Sequence, residues 1–195
     1  MTITTDNVDK SKDKQTKFVD YIFAQCEQNK GFRARMRRAD NPALEYQSWE
    51  ILSRFNIDLE YEEQRLPYAL IAAAIARDKQ EANGDLTIGS AIYRACYQEK
   101  DSQKNKGTDG KSDENNPAYI RSRRLLDCNN VQEVCQVLRP LLKLIQSRVT
   151  QPLNYVALLK NLTWFNYDPQ QIKARWATQF YRDKAVEADK AEGKQ

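Results

Sequence analysis

The chain contains no histidine. That absence excludes Ser-His and Cys-His nucleophile pairs and every histidine-ligated metal site. It also removes the side chain most used for proton transfer near neutral pH. Glycine and proline are scarce, six each in 195 residues, which gives the composition a helical flavour. Long apolar runs are missing too. The longest, "LPYALIAAAIA" from Leu66 to Ala76, is too short to span a membrane and too far along to be a signal peptide. No two of the four cysteines have CxxC spacing. Cys26, Cys96 and Cys135 lie on apolar faces, and all four, with Cys128, are read as reduced core-filling thiols. With no export signal in the polar N-terminus, the expected location is the cytoplasm.

A chain of this length makes one domain or two small ones and buries a core without staples. The pattern predicts an all-α fold of two helical units. Residues 1–16, polar and mixed in charge, read as a disordered lead-in, and 17–97 as an N-terminal helical unit. Residues 98–116 carry no apolar side chain until Pro117 and read as a mobile polar loop. Residues 117–185 form a basic helical bundle, and 186–195 a frayed tail. Three dipeptides, Asn41-Pro42, Asn116-Pro117 and Asp168-Pro169, each pair a side-chain cap with proline at the first helical position, so a helix is expected after each. Asp168 with Gln171 resembles a capping box. Pro140 lies inside the apolar pattern of 130–148 and is expected to kink or divide it.

Charge is unevenly placed. The segment 30–38, "KGFRARMRR", holds five basic residues and no acid, with Phe32 and Met36 set among them as anchors. Residues 18–97 carry ten basic and twelve acidic side chains, a balance of −2. Residues 117–182 carry ten basic and three acidic, a balance of +7. A single-sign field destabilises a compact chain by self-repulsion unless a polyanion neutralises it. Arginine also forks onto phosphate oxygens, which lysine meets only as a point charge. Gln132, Gln136, Arg139 and Lys143 share one helical face, Arg121 and Arg124 another, and Arg175 and Arg182 a third. Any single row reads better as an ordinary solvated face. Together they point to nucleic-acid backbone.

Two other groups invite a sharper reading. Trp49, Trp164, Phe165, Trp176 and Phe180 sit at helical spacing among apolar neighbours and read as core rather than base-stacking platforms, although Trp164 ends a helix. "IDLEYEEQR" gathers Asp58, Glu60, Glu62 and Glu63, and carboxylate pairs serve Mg²⁺ nucleases. Acids ahead of the Leu66 segment also suit a helix N-terminal dipole, and the patch could dock a basic protein.

The order of several pieces carries a resemblance: "RARMRRADNPALEYQSWEIL", "ALIAAAIA", "TIGSAIYRA", "RSRRLLDC…VLRPLLKLI" and "LNYVALLKNLTWF…IKARWATQFY". From about Lys17 to Tyr181 the chain resembles the small subunit of the type I-E CRISPR surveillance complex, the CasB-type subunit of Cascade. The resemblance implies a non-catalytic, all-α protein, with cleavage left to a separate recruited nuclease. It implies contact with crRNA and target DNA, stabilising the guide–target duplex and displaced strand of the R-loop. It further implies the large subunit, the repeated backbone subunits and a second copy of itself as partners. No cofactor and no metal are expected. By motif, Arg37 and Arg38 fall before the Asn-Pro turn, Arg123 and Arg124 before the double leucine, and Arg139 in "LRPLL". With Arg121, Lys143 and Arg175 these are the expected phosphate contacts. The segment 30–38 would face a nucleic-acid backbone or an acidic neighbour. The alternative reading is a helical adaptor that binds only protein.

Overall fold

The computed structural model describes residues 6–97 and 116–192, with side chains described over 14–97 and 116–186. Among them run α1 (Asp6–Gln28), α2 (Lys30–Met36), α3 (Trp49–Arg54), α4 (Glu62–Arg77), α5 (Ile88–Tyr97), α6 (Pro117–Asp127), α7 (Val131–Arg148), α8 (Tyr155–Trp164) and α9 (Pro169–Glu192). The fold is all-α. Its one β-type contact among the described residues is a parallel bridge between Leu86 and Leu153. There Gly84 N–H donates to the Leu153 carbonyl at 3.1 Å, and a Cβ on Gly84 would collide with the backbone of Pro152.

Side-chain caps start most of these helices. Asn29 Oδ1 accepts from Phe32 N–H at 2.9 Å, Asn116 Oδ1 from Ala118 at 3.0 Å, Asn154 Oδ1 from Ala157 at 2.8 Å and Asp168 Oδ1 from Gln171 at 3.0 Å. Each satisfies an amide that the first turn leaves without an intrahelical partner. At α7 the arrangement is reciprocal. Asn130 accepts from Glu133 N–H at 2.9 Å, while the Glu133 carboxylate accepts from Asn129 N–H at 2.8 Å. At α9 Gln171 instead turns its amide oxygen to Arg175, so only half of a capping box forms.

Helix α4 is the axis of the fold. Every residue from Pro67 to Ala76 is buried, because α1, α2, α7 and α8 cover it on different sides. Its alanines let those neighbours approach closely, while Leu70, Ile71 and Ile75 fill the space between. Helix α5 packs on α6, α7 and α9. Buried apolar residues from Phe18 of α1 through Ile71 to Leu138 and Trp176 form one continuous core. Phe32 and Met36 anchor α2 in it. None of the described helices is long and apolar enough to cross a membrane.

Several expectations change. The lead-in is helical from Asp6, and Gln15 is buried, with its amide reaching Thr163 of α8. The apolar stripe of Phe18, Val19 and Ile22 draws the preceding turns down with it. Asn41-Pro42 does not open an α-helix. Asn41 Oδ1 accepts from Ala43 N–H, two residues on, making a side-chain turn, and a 3-10 turn over Glu45–Ser48 leads into α3. Pro140 does not divide α7. Its ring faces solvent, and buried Leu138, Leu141 and Leu142 on the other side hold both halves of the helix to the core. Beyond Arg182, α9 continues to Glu192, through alanine, lysine and glutamate, which all favour helix. Trp49 is 40 % exposed and Trp164 47 %, so neither is core. The polar loop expected over 98–116 falls, apart from Asn116, outside the described residues.

Candidate nucleic-acid interface

Helices α6 and α7 pack together and carry five of the eight expected phosphate contacts, Arg121, Arg123, Arg124, Arg139 and Lys143. Asn116 pins the start of α6 by donating its amide to the Cys96 carbonyl at 2.7 Å, at the end of α5. The arginines of α6 then diverge. Arg123 is exposed and borders a small cavity against Trp176, Phe180 and Tyr181 of α9. Arg124 is exposed over a hollow shared with Gln136 and Val137 of α7. Arg121 folds back on its own helix, donating to the Pro117 carbonyl at 3.1 Å. Arg175 lies elsewhere, bound to Asn161 of α8 at 3.1 Å.

On α7, Gln136, Arg139 and Lys143 follow one face by spacing, and Lys143 is exposed. Arg38, Arg123, Arg124 and Lys143 make no side-chain hydrogen bond or ion pair with any described residue. A guanidinium or ammonium without an internal partner keeps its full field for an external anion.

The other half of the expected set has internal work. Helix α4 ends at Arg77, and its last carbonyls meet the basic segment of α2. Arg33 Nε and Arg37 Nε both donate to the Ala76 carbonyl at 3.0 Å, and Arg33 Nη2 also donates to the Asp78 carbonyl. Cations at a helix C-terminus satisfy orphan carbonyls and complement the dipole. Arg77 Nη2 in turn donates to Asp40 Oδ2 at 2.7 Å, and Arg77 Nη1 to the Arg37 carbonyl at 3.1 Å. Asp40 is buried, and the same oxygen lies 3.9 Å from Arg139 Nε. The "MRRAD" and "LRPLL" segments thus meet each other through one carboxylate. Cys26 lies close enough for Arg33 and Arg37 to favour its thiolate. Burial outweighs them and pushes its pKa up to about 11.

Beside this junction sits a buried polar set. Tyr155 donates its hydroxyl to Asp78 Oδ2, and Gln146 Nε2 donates both to the Tyr155 oxygen and to the Ala74 carbonyl, each at 2.8 Å. It locks α8 and α7 to the end of α4. The acidic segment is also structurally engaged: Asp58 Oδ1 accepts from Glu60 N–H at 3.0 Å, and Glu62 pairs with Arg65 at 3.0 Å. Arg65 also binds buried Glu45 at 2.8 Å. Among the described residues no three His, Cys, Asp or Glu side chains gather in a way that could hold a metal ion.

A family model described as CRISPR-associated protein Cse2 matches residues 32–181. The chain belongs to the Cse2 family. Among solved structures, the crystal structure of M. ruber CasB is similar, with TM-score 0.57 and 23 % identity, over 80 % of this chain and 87 % of that one. A chain of a structure described as a CRISPR RNA-guided surveillance complex is also similar, with TM-score 0.66 and 16 % identity, over 94 % and 99 %. No curated protein sequence matches. The matched Cse2 region takes in both the α2–α4 junction and the α6–α7 surface. Sequence reading passed over Asp40, which decides how this Cse2-family chain presents Arg77 and Arg139. The available signal was a lone acid closing a run of five cations.

Proposed function

We propose that this chain is a non-catalytic small subunit of a CRISPR RNA-guided surveillance complex, stabilising the R-loop through sequence-independent phosphate contacts. The observation that carries the reading is the set of cations with no internal partner: Arg123, Arg124 and Lys143 within residues 117–182, whose balance is +7, and Arg38 in the basic segment 30–38. R-loop formation exchanges one duplex for another at nearly equal free energy, so a few backbone contacts tip it. Arg37, Arg121, Arg139 and Arg175 join them as phosphate contacts through whichever guanidinium nitrogens their internal bonds leave over. The ligands are crRNA and target DNA, and the setting is the cytoplasm. The protein partners are the large subunit, the repeated backbone subunits and a second copy.

The adaptor reading draws on exposed Tyr46, Trp49, Trp164 and Tyr167, none of which lies on α6 or α7. Aromatic side chains of this kind serve protein interfaces. One experiment separates the readings. Arg123→Glu, Arg124→Glu and Lys143→Glu combined remove no internal hydrogen bond or ion pair, so the fold is expected to stay intact, as far-UV circular dichroism checks. In the assembled complex with its guide RNA, the triple variant is expected to lose R-loop formation on matched DNA while still co-purifying. Normal R-loop formation by that variant overturns the nucleic-acid reading in favour of the adaptor.

A further inference from the structure

Asp40 holds an unusual position for a carboxylate beside a surface meant for phosphate. Its side chain is 5 % exposed and is anchored by Arg77 at 2.7 Å. Arg139 faces the same oxygen at 3.9 Å, beyond hydrogen-bond reach, and is 28 % exposed. The Nε of Arg139 is sealed from solvent and bonded to nothing, and so is the Nε of Arg77. One acid is therefore shared by two arginines, and only Arg77 has a proper bond to it. Arg139 is held there by no hydrogen bond at Nε, and its side chain as a whole keeps partial access to solvent. One turn on, Lys143 is exposed and without an internal partner.

We infer that Asp40 is a built-in competitor of phosphate for Arg139, holding this arginine in reserve until a phosphate takes the place of the carboxylate. The inference rests on the phosphate reading above and adds its regulation. Arg139 has no hydrogen bond to Asp40 to lose, and Arg77 keeps the buried carboxylate paired, so a phosphate arriving beside Lys143 captures Arg139 without stranding a charge. Asp40 then tunes affinity downward, which suits a subunit that must grip many sequences and let go.

The test is a double-mutant cycle on the full chain, with a thymidine oligonucleotide as the probe. Asp40→Asn is expected to bind several-fold tighter at low salt and to steepen the salt dependence by about one phosphate contact. Arg139→Gln is expected to cost more affinity in the Asp40→Asn background than alone. Equal costs in the two backgrounds overturn the inference. If Asp40→Asn does not fold, NMR of arginine Nε groups in the unmodified protein decides, the Arg139 signal being assigned by its loss in Arg139→Gln. That signal is expected to move on adding the oligonucleotide while that of Arg33 stays, and no movement overturns the inference. An Arg123→Glu, Arg124→Glu pair run alongside distinguishes the failures. If that pair binds normally, the phosphate reading itself falls; if it loses binding but the cycle is additive, only the role of Asp40 falls.

Discussion

Gly89 of α5 lies so close to Trp176 of α9 that a Cβ on the glycine would stand 2.3 Å from the Trp176 carbonyl oxygen. The same Cβ would stand 2.5 Å from Gln179 Cβ, and Gly89 N–H donates to Gln179 Oε1 at 3.2 Å. Only a hydrogen side chain lets the two backbones approach this far. The "GSAIYRA" segment therefore owes its glycine to packing, and α9 is seated by it.

Gly89→Ala is expected to destabilise the protein by about 1–3 kcal/mol, the usual cost of overpacking, because the neighbour to be displaced is backbone. Urea unfolding followed by far-UV circular dichroism measures it. A loss of unfolding free energy below about 0.5 kcal/mol would show that α5 and α9 are not seated against each other as described.

Tyr155→Phe removes the donor to buried Asp78 and an acceptor of Gln146. The expected loss at neutral pH is about 1–3 kcal/mol, since two buried polar groups lose a partner. Burial first, and the Asp78 carboxylate second, raise the Tyr155 hydroxyl pKa well above the ordinary 10.0. A folded chain that keeps a proton the unfolded chain releases loses stability as pH rises. The Tyr155 contribution is therefore complete below pH 10 and declines above it. Denaturant titrations at stepped alkaline pH should show a shallower decline in Tyr155→Phe than in the unmodified protein.

The cysteines make a kinetic prediction. None forms a disulfide, and Cys26, Cys128 and Cys135 are buried. Burial is the first cause that lifts the thiol pKa values, to about 11 for Cys26 and about 12 for Cys135. Thiolate is the reactive form, so these thiols should react with an aromatic disulfide reagent at pH 8 only as fast as the chain opens. Half-buried Cys96 should react first, and all four promptly in denaturant. Three fast thiols in the native protein would contradict the packing around α1 and α7.

The sequence by itself determined what depends on near neighbours. A period of 3.6 in the apolar residues announced helices. Asn116 and Asp168 announced where two of them begin, because a cap bonds an amide only two or three residues away. The same dipeptide logic failed at Asn41-Pro42, where the side chain turned the backbone after two residues and buried Glu45 was claimed by Arg65, 20 residues on. What only the tertiary structure decided is which cations face outward. Arg37 spends its Nε on a carbonyl 39 residues away, and Arg139 lies 3.9 Å from Asp40 in the turn after α2, while Arg123, Arg124 and Lys143 make no internal hydrogen bond or ion pair. A count of arginines treats all of these alike. Charge acts through space, so their division into structural and available groups appears only once α2, α4 and α7 are brought together around one buried carboxylate.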